Sequence, residues 1–232
     1  KIIKPSLDNK NVPGKESTPY WQDIDTVAVN KEKPRTSFVS FDDVESALKY
    51  VTGNYNDKSP YYQCLNGKWR FYYVEYPRDL PDGITDKDVD PYGKGWSDIT
   101  VPGNWDLQGY GIAMYTNVQY DFNPKNPVPP NLPDFIPIGV YYRKFTVPQS
   151  WIDTNRDIYL QVGGAKTGLY VYINGIEVGY SEESKSNSDF KINDYIQKTG
   201  ENVLTLKVFK HTSGSYMEDQ DMWRLGGIER DV

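Results

Sequence analysis

Hydrophobic positions recur along this chain with two different spacings, and the change falls near residue 60. Before it the sequence is polar, punctuated by proline and weakly periodic. One element is predicted there. In "SFDDVESALKY", Ser40 is followed three places on by Asp43, a capping-box-like start, and Val44, Ala47 and Leu48 fall on one helical face. The pattern predicts an N-terminal arm, residues 1–60, carrying one short helix and laid over a body that occupies residues 61–232.

From "CLNGKWRFYYVEY" onward the spacing is two. Trp69, Phe71 and Tyr73 point one way and Lys68, Arg70 and Tyr72 the other, as in a half-buried strand. "WSDITVP", "VYYRKFTVP", "DIYLQVG" and "NVLTLKVFKH" read as further strands. In "GLYVYINGIEVGYS", Leu169, Val171 and Ile173 alternate up to Asn174-Gly175, a pair suited to a type I′ hairpin. Many strands, turn signals between them and almost no helix predict an all-β fold, an antiparallel jelly-roll sandwich. The proline-dense loop "YDFNPKNPVPPNLPDFIPIG" is expected to be stiff and suited to reaching a neighbouring surface.

Charge and composition narrow the function. With 26 Lys+Arg against 32 Asp+Glu, the net charge of -6 disfavours a nucleic-acid partner. Cys64 is the only cysteine and His211 the only histidine, which excludes an internal disulfide and a multi-histidine zinc site. His211 is expected at a loop or strand end. No run approaches the roughly 20 apolar residues that cross a bilayer, so no membrane partner is expected, and the opening "KIIKPSLDNKN" lacks the apolar centre of a signal peptide. The 20 Tyr, 6 Trp and 8 Phe exceed the ordinary, and such rings serve either a sandwich core or a face for stacking on sugars. "GGAKTG" lacks the glycine before Lys-Thr that a phosphate loop needs, so it reads as an inter-strand turn. Paired carboxylates are the groups glycoside hydrolysis uses. Glu182 and Glu183 are adjacent and face opposite ways on a strand. Asp219 and Asp221 could face together, but Arg224 is an obvious ion-pair partner.

"YTNVQYDF", "VPGNWDLQGYG", "INGIEVGYSEESKSNSDFKI" and "GSYMEDQDMWRLGGIERDV" resemble, in order and spacing, the N-terminal sugar-binding domain of family 2 glycoside hydrolases, and above all the long β-galactosidases. The stretch "PYWQDIDTVAVNKEKPRTSF" looks like the arm that precedes that domain. The resemblance implies a galactose-binding-like jelly roll followed by an immunoglobulin-like domain and a TIM barrel that carries both catalytic glutamates. It also implies a homo-oligomeric parent that hydrolyses terminal β-galactosides with retention, with sodium and magnesium as its ions and no catalytic residue in this stretch. Asn117 matches the asparagine that reaches into the sugar site, and its amide can donate to and accept from a hydroxyl. Glu183 stands where such enzymes usually have Asp, contacting galactose and a bound sodium. Tyr216, Glu218, Asp219, Asp221, Trp223 and Arg224 are expected to form the face that docks on the following domains.

Some residues depart from the resemblance. "SKSNSDFKI" stands where Ser-Arg, a proline and Glu-Phe-Asp are usual, "YDF" replaces Tyr-Pro-Phe, and Glu229 takes the place of an aromatic residue. The rim loops are therefore expected to be reshaped. Two other readings stand beside this one: a freestanding carbohydrate-binding module, and another family 2 exo-glycosidase such as a β-glucuronidase or β-mannosidase.

Overall fold

The computed structural model describes residues 18–36, 38–49, 59–117, 119–122 and 125–232, so the opening "KIIKPSLDNKN" lies outside the described residues. In chain order the elements are β1 (Ala28–Val29), α1 (Val44–Leu48), β2 (Gly67–Val74), β3 (Trp96–Val101), β4 (Gly103–Asn104), β5 (Met114–Thr116) and β6 (Ile138–Phe145). They continue with α2 (Gln149–Asp153), β7 (Tyr159–Val162), β8 (Ala165–Lys166), β9 (Gly168–Ile173), β10 (Ile176–Glu182), β11 (Ser188–Lys191), β12 (Asn202–Phe209), β13 (Met222–Arg224) and β14 (Gly227–Ile228).

Seven strands form the main sheet in the order β1-β10-β9-β12-β6-β2-β3, antiparallel throughout. Smaller sheets, β7 with β11 and β4-β14-β8, supply the second layer. Between the layers lies the main core, with Trp69, Phe71, Trp105, Val171, Leu206 and Phe190 among its buried members. The period-two pattern of β2 is read out as expected. Trp69 and Phe71 enter this core and Tyr73 packs on it, while Lys68 and Arg70 stay at the surface.

The other face of the main sheet is also covered. Ile138, Val140, Tyr170, Tyr172, Tyr180 and Phe209 form a second cluster, on which Tyr20 and Trp21 of the arm pack. Every residue of β9 is consequently buried. Tyrosine suits this position because its ring fills the apolar layer while the hydroxyl finds a polar partner at the edge. The β9–β10 turn has Asn174 at φ 52° and Gly175 at φ 80°, the left-handed pair that a type I′ hairpin requires. Asn174 also fastens the turn from outside: its Nδ2 donates to Tyr195 O at 2.9 Å and its Oδ1 accepts from Val203 N at 3.0 Å.

Two expectations are modified. Helix α1 begins one turn later than the Ser40 reading implies: Asp43 is the N-cap, accepting from Ser46 N at 2.7 Å, and Ser40 lies outside the helix. Its apolar residues Val44 and Leu48 are exposed rather than laid on the body. A five-residue helix capped by Asp43 closes on local hydrogen bonds and needs no apolar bed. The proline-dense loop is not a free reach either. Ile136 is fully buried, Leu132 packs on the second cluster, and Tyr216 Oη donates to Asn131 O.

Candidate functional site

Asn117 follows β5, and Glu183 follows β10; both are strand-end positions, where backbone leaves the sheet and side chains become available. Asn117 is exposed at the tip of a turn closed by Thr116, whose hydroxyl donates to Gln119 O at 2.8 Å. Buried Arg224 holds Thr116 from below, through Nε to Oγ1 at 3.1 Å and Nη2 to the carbonyl at 3.3 Å. The same guanidinium is bonded to Asp219. Strand pairing supports this arrangement, because β13 runs antiparallel to β5 with Met222 opposite Thr116.

Glu183 turns its Oε1 onto its own loop, accepting from the amides of Lys185 at 3.1 Å and Ser186 at 2.9 Å. Its other oxygen lies 3.9 Å from the Lys31 ammonium of the arm, and its side chain is 40% exposed, so it can still meet a ligand. The next residue, Ser184, donates through its amide at 2.7 Å and its hydroxyl at 2.5 Å to the Glu218 carboxylate. Glu218 therefore holds the Glu183 turn, and Asp219, through Arg224, holds the Asn117 turn. Two consecutive residues thus fasten two loops that are distant in sequence.

The remaining acids around this segment are already engaged. Asp221 accepts from Tyr115 Oη. Lys185 pairs with Glu229. Glu182, beside Glu183 but facing inward, is buried, and burial pushes its carboxyl above the usual range. It accepts from Tyr180 Oη at 2.6 Å, Ser213 Oγ at 3.2 Å and Gly214 N at 2.8 Å. Gly214 leaves room for this carboxylate, since a Cβ would sit 2.5 Å from Glu182 Oε2 and displace it.

The six residues expected to form a docking face divide into two groups. Tyr216 and Arg224 are buried within this chain, at 7% and 4% exposure, and act as internal supports. A tyrosine with a carbonyl partner and an arginine with three acceptors are satisfied internally, which is why neither faces outward. Trp223 is 59% exposed and lies beside Tyr115, ring centroids 5.9 Å apart. Asp221 is exposed, and Glu218 and Asp219 are half-buried. Met114 and Met217, which pattern reading did not single out, are exposed as well. The signal for Met114 and Tyr115 was present in "MYTNVQY": a short strand whose apolar residues have no sheet face to enter.

Among the described residues there is no group of three or more His, Cys, Asp or Glu side chains able to hold a metal ion. Glu183 is a single carboxylate, half used by its own loop amides and faced by an ammonium, so this chain's donors do not by themselves fit a sodium ion. A groove of about 1250 Å³ lies elsewhere, between the arm and the body, with Arg35, Phe38, Tyr61, Trp151 and Tyr159 in its walls; neither Asn117 nor Glu183 lines it. No helix among the described residues is long and apolar enough to cross a membrane.

Comparison with known proteins gives the chain's family. The family model described as "Glycosyl hydrolases family 2, sugar binding domain" matches residues 62–232. The chain belongs to glycosyl hydrolase family 2. Within the family it is 42% identical to a β-galactosidase of Psychromonas ingrahamii over 177 residues, 76% of this chain and 16% of that protein. It is 38% identical to a β-galactosidase of Priestia megaterium over 220 residues, 92% of this chain and 20% of that protein. The chain thus spans a fifth or less of these relatives' length. A solved β-glucuronidase of Bacteroides uniformis superposes with a TM-score of 0.53 at 22% identity, over 73% of this chain and 17% of that one. That level of identity speaks for the shared fold alone.

Proposed function

We propose that these residues form the sugar-side wall of the active site in a longer, retaining β-galactosidase. The observation that carries the reading is the double fastening of the Asn117 and Glu183 loops to the consecutive residues Glu218 and Asp219, which supports an exposed amide and a partly exposed carboxylate. Such a pair suits a polyhydroxylated ligand: the amide donates and accepts, and the carboxylate accepts from hydroxyls. The relatives at 38–42% identity are β-galactosidases, which favours a β-galactoside over the alternatives.

Retaining hydrolysis needs two carboxyl groups about 5–5.5 Å apart, one to protonate the leaving oxygen and one to attack. In this chain Glu218 is bound by Ser184, Asp219 by Arg224 and Asp221 by Tyr115, and Glu182 is sealed inside. On this reading the acid and nucleophile belong to another domain of the longer protein, as the family resemblance implies, and these residues bind and orient. Met114, Tyr115, Met217 and Trp223 supply an apolar face of the kind a following domain covers.

Substituting Asn117→Ala in the longer enzyme tests the reading. A fall of roughly 10- to 100-fold in kcat/KM is expected, about 1.4–2.7 kcal/mol of lost sugar binding. The 232 residues alone are expected to leave an aryl β-galactoside intact. Unchanged kcat/KM in the variant, or turnover by the chain alone, would overturn it.

A further inference from the structure

The loop that carries Asn117 is anchored at both ends. On one side Arg224 holds Thr116. On the other, Tyr120 and Phe122 each pack edge-on against Tyr216 with centroids 5.0 Å apart, and Phe122 lies 4.7 Å from the His211 ring. Between those two aromatic residues Asp121 points inward, its Oδ2 3.5 Å from His211 Nε2, with both side chains nearly buried. His211 is the chain's only histidine and follows the end of β12. Asp121 is also the residue by which "YDF" departs from Tyr-Pro-Phe.

We propose that Asp121 and His211 form a latch that positions Asn117 at the rim, an inference that rests on reading Asn117 as a sugar-contacting group. A carboxylate on the loop, 3.5 Å from a ring nitrogen on the body, can give the loop a directional tie that ring packing alone lacks. Neither residue touches the sugar, so both are positioning residues.

The charges around the pair decide its protonation. Lys210 at the end of β12, Lys166 on β8 and Arg224 on β13 all face it. Lys210 is bound by Asp106 at 2.6 Å and Arg224 by Asp219, while Lys166 approaches Met222 Sδ at 4.0 Å. Burial first, and these three cations next, hold His211 well below the usual histidine range. The imidazole is therefore neutral, and we assign its proton to Nε2, the nitrogen that lies 3.5 Å from Asp121 Oδ2, from where a small inward shift of the loop closes the bond. Releasing the loop returns His211 to about 6.5. The released form then takes up a proton that the latched form does not, so the latch weakens as pH falls below about 6.5, by up to tenfold per unit. Asp121 acts in the opposite sense. Burial raises it, against the same cations, so in the carboxylate range the latched form takes the proton first and the weakening levels off.

A single histidine makes the test clean, because imidazole ¹⁵N resonances of the 232-residue chain report on His211 alone. They are expected to stay neutral through pH 6.5. His211→Phe keeps a ring against Phe122 but removes the donor, and backbone order parameters at Asn117 and Gln119 should then fall from about 0.8 to below about 0.6. His211→Gln keeps a donor and should hold the loop near its original order, without the loosening below pH 6.5. Unchanged β9 resonances confirm an intact sheet, and where His211→Phe does not fold, Asp121→Leu gives the same readout. A loop as ordered in the donorless variant as in the original, or a histidine titrating at its ordinary value, overturns the latch. A loosened loop with unchanged kcat/KM in the longer enzyme upholds the latch and instead sinks the sugar role of Asn117.

Discussion

Asp106 and Lys210 meet at 2.6 Å with both side chains buried, and Asp106 also accepts from Gly226 N at 2.6 Å. Removing one member of such a pair strands a charge in a low-dielectric interior, whereas replacing both by apolar groups removes the problem with the pair. Asp106→Ala is therefore expected to lower unfolding free energy by roughly 3–5 kcal/mol. Combining it with Lys210→Met should recover much of that loss. Urea denaturation of the single and double variants checks this, and a double variant no better than the single would refute the argument. In "VPGNWDLQGYG" the sequence announces this residue only as part of a motif. Its neighbour Trp105 is fully buried against Phe71 and Tyr73, so these two residues of the motif belong to the core rather than to the rim.

At the scale of elements, the pairing of β5 with β13 decides where the candidate site stands. Both strands are three residues long and separated by more than a hundred residues, and three register pairs are too few to hold without side-chain help. Arg224 provides it with a planar fork that meets Thr116 twice and Asp219 once. Lysine offers a compact charge in place of the fork. Arg224→Lys is expected to speed amide exchange across Met114–Thr116 about tenfold, some 1.4 kcal/mol, while β9 and β12 keep their protection. Exchange measured by NMR decides it: equal protection in both proteins would show that the backbone pairs suffice. Strands with readable alternation, β2, β3, β6, β7, β9, β10 and β12, were legible in the sequence. The short strands β4, β5, β8, β13 and β14 were not, because two or three residues carry no readable period.

For the molecule as a whole, the arm is part of the fold. Tyr20 stacks on Tyr170 at 5.9 Å and Trp21 on Phe209 at 5.2 Å, and β1 extends the main sheet by pairing with β10. Lys31, on the same stretch, reaches Glu183 and Ser181. Deleting residues up to Val29 uncovers the tyrosine layer and leaves β10 as an open edge, a site prone to pairing with other chains. Losing about 3 kcal/mol of aromatic burial in a chain of this size should lower the melting temperature by roughly 10 °C. A thermal scan of the truncated chain measures it; an unchanged midpoint would mean the arm merely rests on the sheet.

The pattern of residues determined the β class, the long strands, the Asn174-Gly175 hairpin and the motifs that mark family 2, because each of these is written in spacing over a few neighbouring positions. Whether a given acid was free or engaged was decided only by the tertiary structure. Glu182 and Glu183 are neighbours in sequence, yet one is sealed against Tyr180 and Gly214 and the other stands at the rim. The same holds for Tyr216 and Arg224, expected outward and found inward, and for Asp121, whose partner His211 lies ninety positions away. Burial and long-range pairing set the charge and direction of a side chain, and neither is a property of its local sequence.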